Sequence, residues 1–182
     1  MFESCFAAGF LYPFFKKGGK AVIHLEKVNY QNFEAVTDLT IFESQYPFVA
    51  DNTESLAEAY LAITSGEAYA YPFAVYDDET PVGFLMIGYN EAALEANAPE
   101  ILKGNYSIWR LLIDKKYQGK GFGRETVRLG LEFIKTQPQG KAEYCTLSYN
   151  PENEVAKKLY ASFGFVETGD MDEDEVVAVL KL

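Results

Sequence analysis

The sequence predicts an α+β domain in which a central, mostly antiparallel mixed β-sheet is flanked by about four α-helices. Two pairs of β-rich runs are each joined by a short polar turn, which is typical of β-hairpins. Helical patterns lie between the remaining strands, and no internal repeat is visible. At 182 residues, of which 48% are apolar, the chain is long enough to bury one core.

The first half of the chain predicts a strand, two helices and a hairpin. We expect the strand over 21–28 and the first helix near 31–40. A second helix is expected over 53–64, because LAEAYLAI consists of good helix formers and Gly66 favours a stop. The runs YPFAVY and PVGFLMIGY flank DDET and predict the first hairpin.

The second half predicts a strand over YSIWRLLI, a glycine-rich loop, a helix over RETVRLGLEFIK and a strand over EYCTLSY. The next segment, NPENEVAKKLYASFGF, predicts a helix with Asn150 as N-cap and Pro151 at the first helical position. Gly164 is placed to end that helix. The runs FVET and EVVAVLKL, separated by GDMDED, predict a second hairpin.

The composition limits the classes of partner. With 16 basic and 27 acidic residues, the net charge of −11 opposes binding to nucleic acid or an anionic membrane and favours a cationic small substrate. Cys5 and Cys145 are too far apart to indicate a disulfide framework or a zinc site, so we expect reduced thiols and a cytoplasmic protein. His24 has no second ligand nearby in sequence, and we expect no metal.

The first twenty residues are assigned to an N-terminal extension, and 21–182 to one domain. The apolar run 6–15 has the length of a signal-peptide core, but Glu3 precedes it and no cleavage pattern follows. A membrane span needs roughly 20 apolar residues, which this run lacks. An exposed arm, a partner-covered segment and an extension outside the domain all remain open. Its aromatic residues, with those of the first hairpin, make a homodimer possible.

The stretch QGKGFG, residues 118–123, places three glycines at alternate positions directly before a predicted helix. Glycines let a ligand approach the main chain, and a helix N-terminus offers N–H donors to an anion. Phosphate or pyrophosphate is the expected guest, with Lys120 and Arg124 supplying positive charge. Neither the dinucleotide-binding nor the P-loop spacing fits, and a flexible glycine-rich turn is the alternative interpretation.

The last predicted helix carries Asn153, Ala156 and Tyr160 at positions i, i+3 and i+7, on one face. The amide can bind a peptide-like group, the small residue leaves room for a ligand, and the phenol can donate a proton. The alternative is a tyrosine packed against the core, which is the commoner use of that side chain.

Together, LLIDKKYQGKGFGRE and NPENEVAKKLYASFGF resemble the two signature segments of the GCN5-related N-acetyltransferase superfamily. The resemblance covers all but the first twenty residues. Within that superfamily, the stretches FVADNTESLAEAY, WRLLID and YQGKGFGRE are most similar to bacterial spermine/spermidine acetyltransferases. The matching motif positions are Gln118, Gly121, Gly123, Asn153, Ala156, Tyr160, Gly164 and Phe165.

The resemblance implies acetyl-CoA as cofactor, with its pyrophosphate on the glycine loop and its pantetheine arm between two strands. It also implies Tyr160 as general acid and a backbone N–H near Leu112 as donor to the oxyanion. The cofactor-binding residues that it implies are Leu111, Leu112, Ile113, Gln118, Gly119, Lys120, Gly121, Phe122, Gly123, Arg124, Asn153, Ala156 and Tyr160.

The resemblance implies a small, polycationic amine as acceptor, but one position pair departs from it. Diamine acetyltransferases of this kind carry two acids on the strand before the loop, where this chain has Trp109 and Arg110. The candidate acceptor-binding residues are therefore Trp109 and four acids around the second helix, Glu43, Asp51, Glu54 and Glu58. For each acid, a solvated surface charge is the alternative.

The sequence leaves other functions open. The general base is Glu43 or an ordered water. Acetylation of a protein N-terminus or lysine, a non-catalytic acyl-CoA-binding domain, and an interaction protein whose glycines only form turns are the competing functions.

Overall fold

The computed structural model describes residues 23–94 and 97–182. The predicted extension over 1–20, Cys5 and the start of the first predicted strand lie outside these residues. In chain order the elements are β1 (Ile23–Lys27), α1 (Phe33–Thr37), α2 (Asn52–Ser65), β2 (Tyr69–Asp77), β3 (Thr80–Tyr89), β4 (Tyr106–Ile113), α3 (Phe122–Lys135), β5 (Tyr144–Tyr149), α4 (Glu154–Ala161), β6 (Val166–Asp172) and β7 (Glu175–Lys181). Short 3-10 segments cover Glu43–Phe48, Glu91–Leu94 and Glu100–Leu102.

The strands form one sheet with the order β1-β2-β3-β4-β5-β7-β6. Neighbours are antiparallel except β4 and β5, which run parallel. The predicted α+β class with a mostly antiparallel mixed sheet is confirmed. The last strand, β7, lies between β5 and β6, and this insertion brings the β6–β7 turn beside β5.

The parallel pair β4–β5 separates soon after it begins. Only Tyr106 with Cys145 and Ser107 with Thr146 are paired across it. Just beyond these pairs β4 carries a bulge, because Ile108 lies opposite Ile87 and Arg110 opposite Met86, so that Trp109 is an extra residue. A bulge bends its strand and ends regular pairing. The sheet is therefore open between the carboxyl ends of β4 and β5.

Apolar side chains cover both faces of the sheet. Successive residues of β3 point to opposite faces, so Leu85 and Ile87 pack with α3, while Phe84 and Met86 pack with α1 and α2. All four are fully buried. The two cores hold α2 and α3 on opposite faces of the sheet. Both helices therefore lie next to the opening between β4 and β5.

The helix predictions hold with changes at their ends. The second predicted helix is confirmed as α2, and Gly66 follows it with a φ of 75°, a left-handed conformation suited to glycine. The first is shorter than predicted. Its N-terminal side is a turn in which the Asn32 side chain accepts from Asn29 N–H and the Asn29 side chain accepts from Gln31 N–H. Such bonds compete with helix formation.

The predicted N-cap of the last helix is wrong. Asn150 Oδ1 accepts from Glu152 N–H at 2.9 Å and so closes a turn that contains Pro151. The helix begins three residues later, where Asn153 Oδ1 accepts from Ala156 N–H at 3.1 Å. The second hairpin is confirmed, but its acidic turn is shorter than predicted, since β6 extends to Asp172.

Candidate active site

A cavity of about 840 Å³ opens where β4 and β5 part. Its walls are residues 108–113 of β4, Ser148 and Tyr149 of β5, the loop and first turn of α3, the inner face of α4, and the β6–β7 turn. The wall is completed by the 3-10 segment after α1 with its neighbours Ile41, Val49 and Ala50, by Glu58 of α2, and by Glu91, Ala92, Ala98 and Leu102. One cavity is thus lined by backbone donors, an open strand edge, a tyrosine and several carboxylates.

The glycine loop presents bare main chain to this cavity. Gly119 and Gly121 have φ values of 75° and 85°, and a Cβ at either would meet no atom within 4 Å. Gly121 is the N-cap of α3 and brings no side chain to cap it. The N–H groups of the first turn therefore have no partner within the helix and carry its partial positive charge. Such N–H groups are suited to an anion.

Two cations flank the loop differently. Arg124 lines the cavity, donates from Nη1 to Ser162 Oγ at 2.6 Å, and lies over the Phe163 ring. Lys120 lies outside the cavity lining, with its ammonium 5.0 Å from the Tyr117 ring centre. Among the described residues neither forms a salt bridge, so their charges are not neutralised within the fold.

Gln118 lines the cavity, and its carboxamide is used in hydrogen bonds that hold the glycine loop in place. Its Nε2 donates to Ile113 O at 2.9 Å, and its carboxamide exchanges two hydrogen bonds with that of Gln45. The pair ties the loop to the end of β4 and to the 3-10 segment Glu43–Phe48. Sequence reasoning missed Gln45, because its partner is 73 positions away.

Asp114 secures the junction between β4 and the loop. It is 4% exposed and accepts from the N–H groups of Thr40 and Lys116, each at 2.9 Å. Burial alone would raise the pKa of its carboxyl, but these N–H donors outweigh burial and lower it. An ionised Asp114 holds the strand end in place.

Residues 111–113 of β4, which the resemblance assigns to the pantetheine arm, border the opening between β4 and β5. Leu111, Leu112 and Ile113 pair with β3 on one side and have no β5 partner on the other. Across the gap, Asn153 and Ala156 of α4 line the same cavity. Because Asn153 Oδ1 caps α4, its Nδ2 is the side-chain donor left for a ligand.

Tyr160 lies on α4 and lines the cavity. It is 8% exposed, and its ring packs between those of Tyr149 and Phe165. No described residue forms a hydrogen bond with its hydroxyl. Burial raises the pKa of the phenol, and the nearby Glu175 carboxylate and Cys145 raise it further. The hydroxyl therefore keeps its proton at neutral pH.

The acids predicted around α2 are mostly elsewhere. Glu43, Asp51 and Glu54 do not line the cavity, and the Asp51 side chain caps α2 by accepting from Glu54 N–H at 2.9 Å. Glu58 does line it, but it is ion-paired with Arg110 at 3.0 Å. Trp109 lines the cavity through the bulge of β4.

Sequence reasoning missed the acids that the structure does bring to the cavity. They are Glu91, Asp172, Glu173, Asp174 and Glu175. The run at 172–175 was visible as an acidic turn, but its place beside β5 depends on β7 lying between β5 and β6. Partial burial and the Glu173 carboxylate raise the pKa of Asp172, which indicates like charges held close together.

Two general features bear on other kinds of site. Within residues 23–94 and 97–182, no three His, Cys, Asp or Glu side chains are placed to hold a metal ion. His24 instead stacks on Tyr76 at 5.4 Å between ring centres. In the same residues no helix has the length and apolarity needed to cross a membrane.

The sequence profile of the acetyltransferase (GNAT) family matches residues 34–165, which include α2, the glycine loop and α4. The chain belongs to this family. The sequence resemblance to N-acetyltransferases is thereby confirmed, and the matched region ends at Phe165, the last position of the second motif.

This GNAT protein is similar to curated relatives that are named for polyamines. It is 28% identical over 153 residues to the spermine/spermidine N(1)-acetyltransferase of Bacillus subtilis strain 168, a match that covers 82% of this chain and 91% of the relative. A probable spermine N(1)-acetyltransferase of Bacillus subtilis subsp. natto is 29% identical over the same length and coverage.

Solved structures share the fold at low identity. An aminoglycoside acetyltransferase, AAC(6')-Ib, in complex with coenzyme A has a TM-score of 0.67 and 18% identity, covering 88% of this chain and 95% of that one. The PaiA N-acetyltransferase of Thermoplasma acidophilum, also with coenzyme A, has a TM-score of 0.58 and 15% identity, covering 88% and 99%. The GNAT fold is confirmed by these matches.

Proposed function

We propose that this protein transfers the acetyl group of acetyl-CoA to a primary amine of a polycationic small molecule such as spermidine or spermine. One observation carries the proposal. A single cavity is lined by the N-terminus of α3, an open strand edge, Tyr160 and a set of carboxylates. The relatives named for spermine and spermidine support the choice of amine.

The chain's own groups fit coenzyme A at one end of the cavity. The N–H groups at the start of α3 and the Arg124 guanidinium suit its diphosphate. The unpaired edge of β4 suits the amides of its pantetheine arm, since those amides can bond like an added strand. Asn153 Nδ2 adds one donor on the α4 side.

Acetyl-CoA supplies an activated acyl group when bound, and Tyr160 supplies the proton for the departing sulfur. Because burial keeps the phenol protonated, Tyr160 is in its donor form throughout the neutral range. In the register of β3 with β4, the N–H of Leu112 points toward Phe84 of β3. Our candidate donors to the carbonyl oxygen are therefore the N–H groups of Leu111 and Ile113 on the open edge of β4.

The acceptor end has a charge suited to cations. Arg110 neutralises Glu58, so the negative charge there comes chiefly from residues 172–175. Burial and the Glu173 carboxylate raise the pKa of Asp172, and an ammonium group between the two carboxylates would relieve their repulsion. A substrate with several ammonium groups could engage more than one of these acids at once.

A thiol-release assay with acetyl-CoA tests the proposal. The panel is spermidine, spermine, kanamycin, a basic peptide and glutamate, the last as an amine that carries net negative charge. We expect the highest kcat/KM with spermidine or spermine and a fall in that constant as salt is added, because the attraction is electrostatic. A preference for glutamate would contradict the cationic site, and absence of turnover with every amine would contradict the enzyme function.

A further inference from the structure

We propose that Glu175 is the general base of the acceptor end and that Ser148 positions it. The inference rests on the proposed acetyl transfer and adds a residue that sequence reasoning did not identify. It replaces the earlier candidate Glu43, which is exposed and does not line the cavity, and it competes with the other candidate, an ordered water.

Glu175 is held at the point where the acceptor meets the acetyl donor. It is the first residue of β7, and its half-buried side chain lines the cavity together with Ser148 and Tyr160. Ser148 Oγ, on the neighbouring strand β5, donates to Glu175 Oε2 at 2.5 Å. This bond fixes one carboxylate oxygen and leaves Oε1 to accept a proton.

The other acids of the cavity are less suited to the role, and Asp172 has no side-chain hydrogen bond from a described residue to position it as Ser148 positions Glu175. Glu58 is bound by Arg110, and Glu173 and Asp174 are exposed in the turn. Glu91 lies on another wall, close to Gly88, where a Cβ would be 2.9 Å from its Oε2. Glu175 is the cavity carboxylate whose charge acts directly on the Tyr160 phenol, so base and acid are neighbours.

The titratable groups around Glu175 come from four elements. Asp172 of β6 pairs with it across the turn, Glu173 and Asp174 form the turn, Tyr149 lies on β5 and Tyr160 on α4. None of these is a cation. The surroundings therefore favour an arriving ammonium group over an anion.

The proton balance closes with these two residues. Glu175 takes one proton from the ammonium group. The neutral nitrogen then attacks the carbonyl carbon of the acetyl group, so that the C–N bond forms and the C–S bond breaks. Tyr160 gives its proton to sulfur and recovers one from the acylated nitrogen. Glu175 releases its proton to water, so each turnover yields the amide, the free thiol and one proton.

The test compares Glu175→Gln with the matched variant Glu173→Gln. Both remove one charge from the same cavity, but glutamine at 175 can still accept from Ser148. With spermidine we expect Glu175→Gln to lower kcat by about 100-fold near pH 7, whereas Glu173→Gln changes chiefly KM. Coenzyme A affinity, measured by calorimetry, should stay within about twofold of the wild type for both.

The pH profile separates a base from a structural residue. As pH rises toward the amine pKa of about 10, free amine no longer needs a base, so the deficit of Glu175→Gln should shrink to about tenfold or less. A deficit constant with pH, or equal losses in the two variants, would overturn the assignment of the base. A wild type inactive on every amine would overturn the proposed function and this inference together.

Discussion

Arg110 donates from Nη2 to both carboxylate oxygens of Glu58, at 3.1 and 3.0 Å, across the wall of the cavity. The same guanidinium donates from Nη1 to Trp109 O, the carbonyl of the bulged residue. The pair joins α2 to the bulge of β4 and cancels a negative charge at the proposed acceptor end. Its side chains are 23% and 31% exposed, so solvent weakens the attraction only in part.

Glu58→Gln should raise KM for spermidine by about tenfold, because it leaves the Arg110 cation unneutralised in a site for cations. Arg110→Met should lower that KM, and the double variant should fall near the wild type. Steady-state kinetics with the three variants measures this cycle. An unchanged KM in Glu58→Gln would show that the acceptor binds away from this wall.

Gly121→Ala should abolish most coenzyme A affinity, since the added methyl group enters the space that faces the cavity. The matched control is Gly104→Ala. Gly104 also has a positive φ, of 67°, and open space at Cβ, but it does not line the cavity. Each variant should lose about 1–2 kcal/mol of stability through left-handed strain. Equal coenzyme A affinity in the two variants would contradict the role of the loop.

Tyr160→Phe should chiefly lower kcat, whereas Tyr149→Phe should chiefly lower the free energy of unfolding. The Tyr160 hydroxyl has no hydrogen-bond partner among the described residues, so its loss should leave stability nearly unchanged while kcat falls by about 100-fold or more. Tyr149 donates to Glu167 at 2.7 Å, so its loss should cost about 1–2 kcal/mol with little change in kcat. Turnover assays and urea unfolding measure the two quantities, and a fully active Tyr160→Phe would remove Tyr160 from the mechanism.

The pH dependence of the free energy of unfolding should also reflect the raised pKa of Tyr160. Since the folded state holds this proton more tightly, the contribution is present below the unfolded pKa of about 10 and is lost as pH rises above it. The wild type should therefore lose up to about 1.4 kcal/mol more per pH unit above pH 10 than Tyr160→Phe. Urea titrations at several pH values give this difference. Parallel pH dependence in the two proteins would contradict a buried, protonated phenol.

Local patterns were sufficient to predict most of the elements. Helix α3 and strand β4 follow from periodicity, and Gly66 ends α2 as a glycine stop predicts. The error at Asn150 shows the limit, because Asn150 and Asn153 both suit a cap. Which of the two caps the helix depends on the turn that Pro151 and Glu152 make before it.

The two ends of the cavity differ in how far sequence could describe them. The glycine loop is contiguous in the chain, so its chemistry is readable from QGKGFG. The acceptor end is assembled from distant segments, as the 52-residue separation of Glu58 and Arg110 shows. The acidic hairpin reaches it only because β7 inserts beside β5, and local sequence does not encode that neighbour.

A crystal structure with bound coenzyme A is the most direct test of the central claim, that the start of α3 binds the diphosphate and places the sulfur beside Tyr160. We expect diphosphate oxygens at about 2.7–3.2 Å from N–H groups of residues 119–124 and the sulfur within hydrogen-bonding reach of Tyr160 Oη. A diphosphate bound elsewhere, or a sulfur remote from that hydroxyl, would contradict it.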